Sequence, residues 1–397
     1  MSDVTPRPLR IGIDARDLLV AQRTGVERVV WQFIDSLGRV GDPRHEYVFF
    51  FNESPPAEGM PSFPGEIVVE PIRHRVLQRL ADAWLTIQMR RCVVKHRIDA
   101  FYTPNSKLPF APTVRVTTVH GLEWDACPGD YRRSELMKQR AWFQLATRKS
   151  TGIVTFAQAT HDGIRRLRPN CTIPMCVVPE GVDPAFHRLA ADARTDDVLA
   201  RHGIDGPFVL SVCSLEPRKN LDALVRAYAI AARENDLPHQ LVLVGRAGRR
   251  SAHVQDLVKQ NDLVDRACLP GYVSDEDLVA MYNRADLFVY PSKYEGFGLP
   301  VLEAMACGAP VVTSRRGALI EVGGDAARLV DPDDDRSIAS AIAEILGSEE
   351  TRTSMREAGL RHAANYSWDK MTRSIVQFID ERVRAAGGVS RTGSEAV

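Results

Sequence analysis

Asp286-Leu-Phe-Val-Tyr-Pro291 and, two residues later, Tyr294-Glu295-Gly296-Phe297-Gly298-Leu299-Pro300-Val301-Leu302-Glu303 set the architecture of this chain. The first run is short, apolar and closed by proline, the pattern of a buried strand. Leu299 through Ala306 carries no breaker after Pro300 and reads as two turns of helix, proline being tolerated in a first turn. A buried strand passing through a glycine-flanked turn into a helix is the repeating unit of an α/β protein with a parallel sheet. Glu295 falls in the turn and Glu303 on the helix, eight residues on. Helical side chains lean towards the N-terminus, so Glu303 is expected to project towards the mouth that Glu295 lines. The amides of Gly296, Phe297 and Gly298 have no helical partner and suit an anion or a ring of hydroxyls. Carboxylates accept from vicinal hydroxyls and helix-start amides suit phosphate, so the pattern fits a sugar nucleotide.

The same alternation extends in both directions. Ahead of it, strands are predicted at Leu9–Ile13, Tyr47–Phe51, Ile67–Glu70, Ala100–Tyr102, Val114–Val119, Gly152–Phe156 and Met175–Pro179, with helices at Val29–Leu37 and Val76–Lys95. After the polar, aspartate-rich segment that ends near Gly206 the pattern restarts, with strands at Phe208–Cys213, Leu241–Gly245, Ala267–Leu269, Leu287–Tyr290, Pro310–Thr313 and Arg328–Val330. One helix is opened by Ser274 with Asp277 three residues on, a weak capping box. Asp335–Leu346, Glu349–Ala364 and Trp368–Ala386 follow as helices, and a glycine- and serine-bearing tail begins at Gly387. The expected architecture is two doubly wound domains, which bind ligands beyond the strand C-termini.

Composition fits without deciding. At 397 residues the chain exceeds a single ordinary core. Its formal net charge of zero gives no general pull towards nucleic acid. Seven scattered cysteines read as reduced core residues of a cytoplasmic protein, and Cys171/Cys176 lack histidine partners for zinc. No apolar run approaches the ~20 residues of a membrane span. The polar start, Met1 to Pro8, has no hydrophobic signal segment.

Three further clusters fall on strand ends. Ser214-Leu215-Glu216-Pro217-Arg218-Lys219-Asn220 offers a guanidinium and an ammonium beside a helix start, suited to a departing diphosphate; an Arg-Lys pair there is more often simply solvated. Val119-His120-Gly121 closes a first-domain strand, where a lone histidine is more often structural than catalytic. Thr24-Gly25 allows close approach of backbone to ligand, or is an ordinary turn.

Taken together and in this order, these motifs resemble the family-4 retaining glycosyltransferases of the GT-B fold. The resemblance spans Arg10-Ile-Gly-Ile-Asp-Ala-Arg16 to Tyr366-Ser-Trp368 and is most specific over Glu295 to Val312, Leu215 to Asn220 and Leu269-Pro-Gly-Tyr-Val-Ser274. It implies two Rossmann-like domains facing across a cleft: residues 1–180 on the acceptor side and 181–370 for the nucleotide sugar. A helix, 371–386, would cross back to the first domain, leaving 387–397 as a loose tail. It implies a catalytic set of Glu295, His120, Arg218 and Lys219. Glu303 would hold the ribose diol, Glu295 the hydroxyls of the transferred sugar, and Arg218 and Lys219 the diphosphate. Gly296, Phe297, Gly298 and Leu299 would supply amides, Tyr272 and Val273 would border the base, and Gly25 would lie against the donor. No metal or cofactor is implied beyond the nucleotide diphosphate sugar itself. The chain departs from the family where Cys213-Ser214 replaces a common arginine, Gly121 a usual aspartate and Glu27 a second glycine.

The expected reaction is transfer of a hexose-type sugar to an acceptor hydroxyl of a glycan, a lipid-linked glycan or a metabolite. Front-face displacement needs no side-chain nucleophile. A glycosidase-type carboxylate pair would also require a general acid, of which there is no sign. A GT-B-like retaining phosphorylase would need a lysine-bearing cofactor segment, which is not apparent, and a non-catalytic nucleotide-sugar-binding module would release no nucleotide. Gly245-Arg-Ala-Gly248 is too short for a dinucleotide fingerprint. Two basic stretches, Arg73, Arg75, Arg79, Arg90, Arg91, Lys95 and Arg97, then Arg132, Arg133, Lys138, Arg140, Arg148 and Lys149, allow peripheral contact with the inner face of a membrane. The plainer reading is a solvated helix face, with Leu77, Leu80, Trp84 and Ile87 packing inward.

Overall fold

A computed structural model of the protein describes residues 8–20, 25–56, 58–71, 88–190, 193–245 and 251–392. The first strands are β1 (Arg10–Asp14), β2 (Glu46–Phe51), β3 (Glu66–Val69), β4 (Ala100–Thr103), β5 (Val114–Val119), β6 (Gly152–Thr155) and β7 (Met175–Val177). The helices among and after them are α1 (Gly25–Val40), α2 (Met89–Lys95), α3 (Glu123–Ala126), α4 (Arg133–Lys149), α5 (Gln158–Leu167) and α6 (Ala193–Arg201). Then come β8 (Phe208–Val212), α7 (Leu221–Asn235), β9 (Gln240–Val244), α8 (Ser251–Gln260), β10 (Ala267–Gly271), α9 (Asp275–Arg284), β11 (Leu287–Tyr290) and α10 (Leu299–Ala306). The chain ends with β12 (Val311–Ser314), α11 (Ala318–Gly323), β13 (Arg328–Val330), α12 (Asp335–Leu346), α13 (Glu349–Ala363) and α14 (Trp368–Thr392).

Each predicted strand is present. Among the described residues they form two sheets, ordered β3-β2-β1-β4-β5-β6-β7 and β10-β9-β8-β11-β12-β13, with parallel neighbours throughout. Strands buried on both faces are largely apolar, as in Leu287–Tyr290, and even the polar end of Val311–Ser314 is buried. The strand order reverses between β1 and β4 in the first sheet and between β8 and β11 in the second. Those reversals open the crevices where doubly wound sheets bind ligands.

Packing divides the described residues into two compact units. One holds the chain up to Leu122, Arg132–Gly181 and the chain from Trp368; the other holds Glu123–Tyr131 and Val182–Ser367. The segment Glu123–Tyr131, expected with the first domain, thus packs with the second. In the first unit Val29, Val30, Phe33, Ile34 and Leu37 form the buried stripe of α1 at helical spacing. α14 is tied to this unit by Arg39–Asp369 at 3.0 Å, and its Asp380 lies beside the His45 ring. It lies so close to β6 that a Cβ at Gly152 would come 2.8 Å from Phe378. α14 runs to Thr392, past the predicted end at Ala386. In the second unit Leu224 and Tyr228 of α7 and Ile338, Ile342 and Ile345 of α12 cover Val209, Leu241, Leu243, Leu287 and Val289.

Ser274 caps α9 as expected, accepting from the Asp277 amide at 3.2 Å. The reciprocal half of the capping box is absent, because the Asp277 carboxylate is taken by Arg201 and His202, both at 2.9 Å. The predicted helix Val76–Lys95 is seen from Met89 onward. Its earlier part, with Arg73, Arg75, Arg79 and the stripe Leu77, Leu80, Trp84 and Ile87, lies outside the described residues.

Candidate active site

The loop after β8 makes a single turn, Pro217–Lys219, and is closed by Asn220 at φ +62°. Asparagine tolerates the left-handed region better than most residues. Its amide also ties three strand ends together, donating to the carbonyls of Pro291 at 3.1 Å and Pro332 at 2.6 Å. The loop after β11 is stitched to the same turn by the Lys293 amide, which donates to the Arg218 carbonyl at 2.8 Å. Arg218, Lys219 and Glu295 therefore meet at the reversal of the second sheet.

Glu295 is 7% exposed and Lys219 8%. The Lys219 ammonium donates to Oε1 and Oε2 of Glu295 at 2.8 and 2.9 Å and to the Tyr290 hydroxyl at 2.8 Å. Nη1 of Arg218 reaches Oε2 of Glu295 at 3.0 Å, and Nη2 pairs with Glu216 at 2.9 Å. The Tyr290 hydroxyl donates to Oε1 at 3.0 Å. The Ser292 hydroxyl lies 2.5 Å from the same oxygen and 2.9 Å from the Arg218 carbonyl, and its one proton serves one of them at a time. Burial alone would raise the Glu295 carboxyl, but Lys219 and Arg218 outweigh it and hold it down at about 2. Burial pulls the Arg218 guanidinium down, but Glu295 and Glu216 more than restore it, leaving it above its ordinary value. The Cys213 thiol, beneath the cluster, is pushed by burial up to about 12 and is inert at neutral pH.

Glu303 lies on α10, is buried, and accepts from the Tyr282 hydroxyl at 3.2 Å. The turn ahead of it is built around Gly298 at φ +126°, where a Cβ would stand 2.7 Å from Leu319. Only glycine fits that position without strain. Phe297 is buried edge-on to Tyr366 at 6.1 Å, and Gly296 is buried beside it, while Leu299 is half-buried at the start of α10. Tyr272 is 70% exposed after β10 and Val273 is buried. Arg218, Lys219, Glu295, Glu303, Gly296 to Leu299, Tyr272 and Val273 thus all belong to the second unit, and His120 and Gly25 to the first.

His120 follows β5, its Nε2 2.7 Å from the Pro104 carbonyl and its ring edge-on to Phe156 at 5.0 Å. Burial lowers its ionisation below the ordinary histidine value, so Nε2 donates as a neutral imidazole. Gly25 opens α1, with open space where a Cβ would be.

Several participants were not singled out from the sequence. Tyr290 reads as one more core aromatic of an apolar strand, and Ser292 as a turn residue. Asp130 accepts the Arg218 backbone N–H at 3.1 Å through a tertiary contact with no local signature. The seven cysteines are unpaired, three of them buried.

Among the described residues one group has metal-ligand spacing, Asp42, His45 and Asp380, with ligand atoms within 4.8 Å of one another. Its chemistry opposes a metal. Nδ1 of His45 accepts the Leu9 amide at 3.2 Å, so the neutral ring carries its proton on Nε2, the atom facing both carboxylates. Asp42 is also engaged by the Arg44 guanidinium at 2.9 and 3.1 Å.

The chain matches the model of "Glycosyl transferases group 1" over residues 196–362 and that of "Glycosyltransferase Family 4" over residues 23–186. It is 31% identical to the O-antigen chain mannosyltransferase B of Escherichia coli over 277 residues, 70% of this chain and 72% of that protein. It is 34% identical to the D-inositol 3-phosphate glycosyltransferase of Salinispora arenicola over 226 residues, which is 53% of this chain and 50% of that protein. Its fold is similar to sucrose-phosphate synthase of Thermosynechococcus elongatus, with a TM-score of 0.73 at 20% identity over 95% of this chain and 100% of that one. It is similar too to Anabaena Alr3699/HepE in complex with UDP and glucose, with a TM-score of 0.70 at 17% identity over 96% of this chain and 100% of that one. The two parallel sheets, the charged loops at the reversal of the second and these matches lead to one conclusion: the chain belongs to the group 1 and family 4 glycosyltransferases, has the GT-B fold and counts mannosyltransferases among its relatives.

Proposed function

We propose that the protein transfers a hexose, with mannose the leading candidate from its relatives, from a nucleoside diphosphate sugar to a saccharide hydroxyl, retaining anomeric configuration and using no metal. The observation that carries this reading is the cluster of buried Lys219 and Glu295 with half-buried Arg218 at the strand reversal of the second sheet. Two fixed cations there match a leaving group that gains negative charge as its bond to the sugar breaks. Preorganised donors of this kind contribute roughly 3–4 kcal/mol each. The acceptor oxygen attacks the anomeric carbon on the face from which the diphosphate departs, and the departing phosphate oxygen takes the acceptor proton. No side-chain nucleophile or metal enters that scheme. Glu295 then orients both cations, and in this scheme it also meets hydroxyls of the transferred sugar. Glu303 holds the ribose diol, the turn Gly296–Leu299 meets the donor with its amides, and Tyr272 and Val273 border the base.

The reading is tested by incubating the protein with a panel of nucleoside diphosphate sugars and measuring released nucleoside diphosphate for wild type, Glu295→Ala and Lys219→Ala. Slow hydrolysis of one donor, lost in both variants, supports the assignment; failure of every donor to bind sinks it. Among the described residues no helix is long and apolar enough to cross a membrane. On α4, exposed Arg133, Lys138, Arg140, Arg148 and Lys149 accompany Met137 at 70% exposure, which favours peripheral docking at a lipid-linked acceptor. Flotation with phosphatidylglycerol vesicles, lost at high salt, is the outcome expected of that docking.

A further inference from the structure

Lys219 and Glu295 each have a ligand to hold in the transferase scheme, and neither has a hydrogen-bonding position left to offer it. An ammonium has three protons to give. Those of Lys219 go to Oε1 of Glu295 at 2.8 Å, to Oε2 at 2.9 Å and to the Tyr290 hydroxyl at 2.8 Å, so none remains for a phosphate oxygen. A carboxylate has about four lone-pair positions. Oε1 of Glu295 faces Lys219, Tyr290 and Ser292, and Oε2 faces Lys219 and Arg218, which leaves no position for a sugar hydroxyl. Both side chains are buried, where a charge that loses its partner is costly. Arg218 differs. Its Nη1 meets Oε2 of Glu295 at 3.0 Å and the Tyr294 carbonyl at 3.4 Å, and its Nη2 meets Glu216 at 2.9 Å. A guanidinium carries five N–H donors, so among the described residues this half-buried one has donors to spare.

We propose that Glu295 occupies the place of the diphosphate on Lys219, and that the two change partners when the donor binds. Phosphate oxygens take the ammonium protons, and the released carboxylate takes hydroxyls of the sugar on the same ligand. Arg218, with donors to spare, makes the first contact as it stands. The Lys219 ammonium then turns to the phosphate, as its flexible stem permits. Every buried charge is paired again at the end: the ammonium has exchanged one anion for another, and the carboxylate has exchanged an ammonium for hydroxyl donors. Tyr290 is a positioning residue in this exchange, since its hydroxyl accepts from Lys219 and donates to Glu295 at 3.0 Å. A nucleoside diphosphate without its sugar completes only half of the exchange, because it displaces the carboxylate and gives it no hydroxyl in return. The cluster therefore selects the sugar-bearing donor over the free diphosphate, which is also the product it has to release. This exchange presupposes the transferase reading, because it takes a nucleoside diphosphate sugar as the ligand of the cluster.

The test needs binding and no turnover. Affinities of guanosine diphosphate, guanosine diphosphate mannose, uridine diphosphate and uridine diphosphate glucose for the full chain are measured by calorimetry at neutral pH, for wild type, Glu295→Gln and Tyr290→Phe. Glu295→Gln relieves Lys219 of its competing anion and deprives the sugar of a charged acceptor. The free diphosphate should bind this variant more tightly, on the order of tenfold, while its sugar ester gains nothing, so the preference for the sugar-bearing form shrinks. Tyr290→Phe keeps both charges and leaves one ammonium proton without an acceptor until a phosphate oxygen arrives, so it should tighten the free diphosphate by about threefold. It also carries the test where urea unfolding shows Glu295→Gln to be unfolded. The exchange is overturned, with the transferase reading intact, if Glu295→Gln fails to tighten the diphosphate or tightens the sugar ester just as much. Weaker binding of the diphosphate by Tyr290→Phe overturns it in the same way, the mark of a fixed brace. No binding of any of the four nucleotides to any of the three proteins overturns the exchange together with the transferase reading.

Discussion

At the strand reversal of the second sheet two cations and a carboxylate share one largely buried cluster, whereas at the reversal of the first sheet the polar groups of the described residues fall into separate pairs. After β1, Arg16 grips Asp14 at 2.8 and 2.7 Å. Asp17 accepts from the Asn105 amide at 2.6 Å, and Asn105 in turn accepts from the Lys107 backbone at 3.0 Å. The two mouths come from the same topology, so topology supplies the crevice and loop chemistry decides its use. The second mouth holds concentrated, preoriented charge, which suits a diphosphate. The first holds neutral and self-paired groups, which suits hydroxyls.

The largest effect should come from the cluster. Lys219→Ala strands a buried carboxylate next to a lone guanidinium, and breaking a buried pair in this way costs about 3–5 kcal/mol. Nucleoside diphosphate release should fall by roughly a hundredfold or more, since the leaving group loses a fixed cation. Urea unfolding and the release assay check the two separately. A variant that is as stable as wild type would break the contrast between the mouths.

Glu295→Gln keeps the shape and removes the charge. The wild-type carboxyl is depressed from 4.5 to about 2, so its contribution is fully present above the unfolded value of 4.5 and lost as pH falls through about 2. The shift corresponds to about 3 kcal/mol. The stability gap between wild type and Glu295→Gln should therefore be widest near neutral pH and should narrow from about pH 4.5 downward. Urea titrations at several pH values read it, and a gap independent of pH would mean that Glu295 is not the ionised partner of the two cations.

Gly298→Ala should follow, at about 1–3 kcal/mol, because it places a Cβ at a positive φ and against Leu319. Donor affinity should fall with it if the turn's amides are part of the site. Unchanged stability would show that the turn relaxes freely.

How far the sequence foretold these regions follows the same physics. The strands were legible because parallel strands covered on both faces are uninterrupted apolar runs. Arg218, Lys219 and Glu295, which the structure brings together, drew attention because charge beside a strand end is conspicuous. Their mutual burial was not legible: a Glu-Pro-Arg-Lys-Asn loop reads as solvated until the loop after β11 folds over it. Tyr290 and Ser292 stayed hidden because an aromatic in a strand and a serine in a turn each have an ordinary reading. The strap at Glu123–Tyr131 stayed hidden because its attachment through Asp130 is tertiary. The end of α14 was misplaced because Gly387 and Gly388 look like a stop, although a glycine costs a helix only about 1 kcal/mol.

The smallest effect, and the one with opposite sign, belongs to the first mouth. Burial, reinforced by the Asp14 charge, raises the Asp17 carboxyl above its ordinary value of 3.8, against the weaker pull of Asn105 and Lys107. A carboxyl raised in the folded state binds its proton more tightly there than in the unfolded chain. Its stabilising share is full below pH 3.8 and is lost as pH rises through the folded value. Near neutral pH the ionised Asp17 therefore weakens the fold, the reverse of Glu295. Asp17→Asn keeps an acceptor for the Asn105 amide and removes the charge, so it should raise the unfolding midpoint near neutral pH and lose that advantage as pH falls through the raised folded value, with none left by about pH 3.8. Urea midpoints for the variant and wild type across that range decide it. If Asp17→Asn instead destabilises the protein at neutral pH, as Glu295→Gln should, then Asp17 is held as a working anion and the first mouth carries concentrated charge as well.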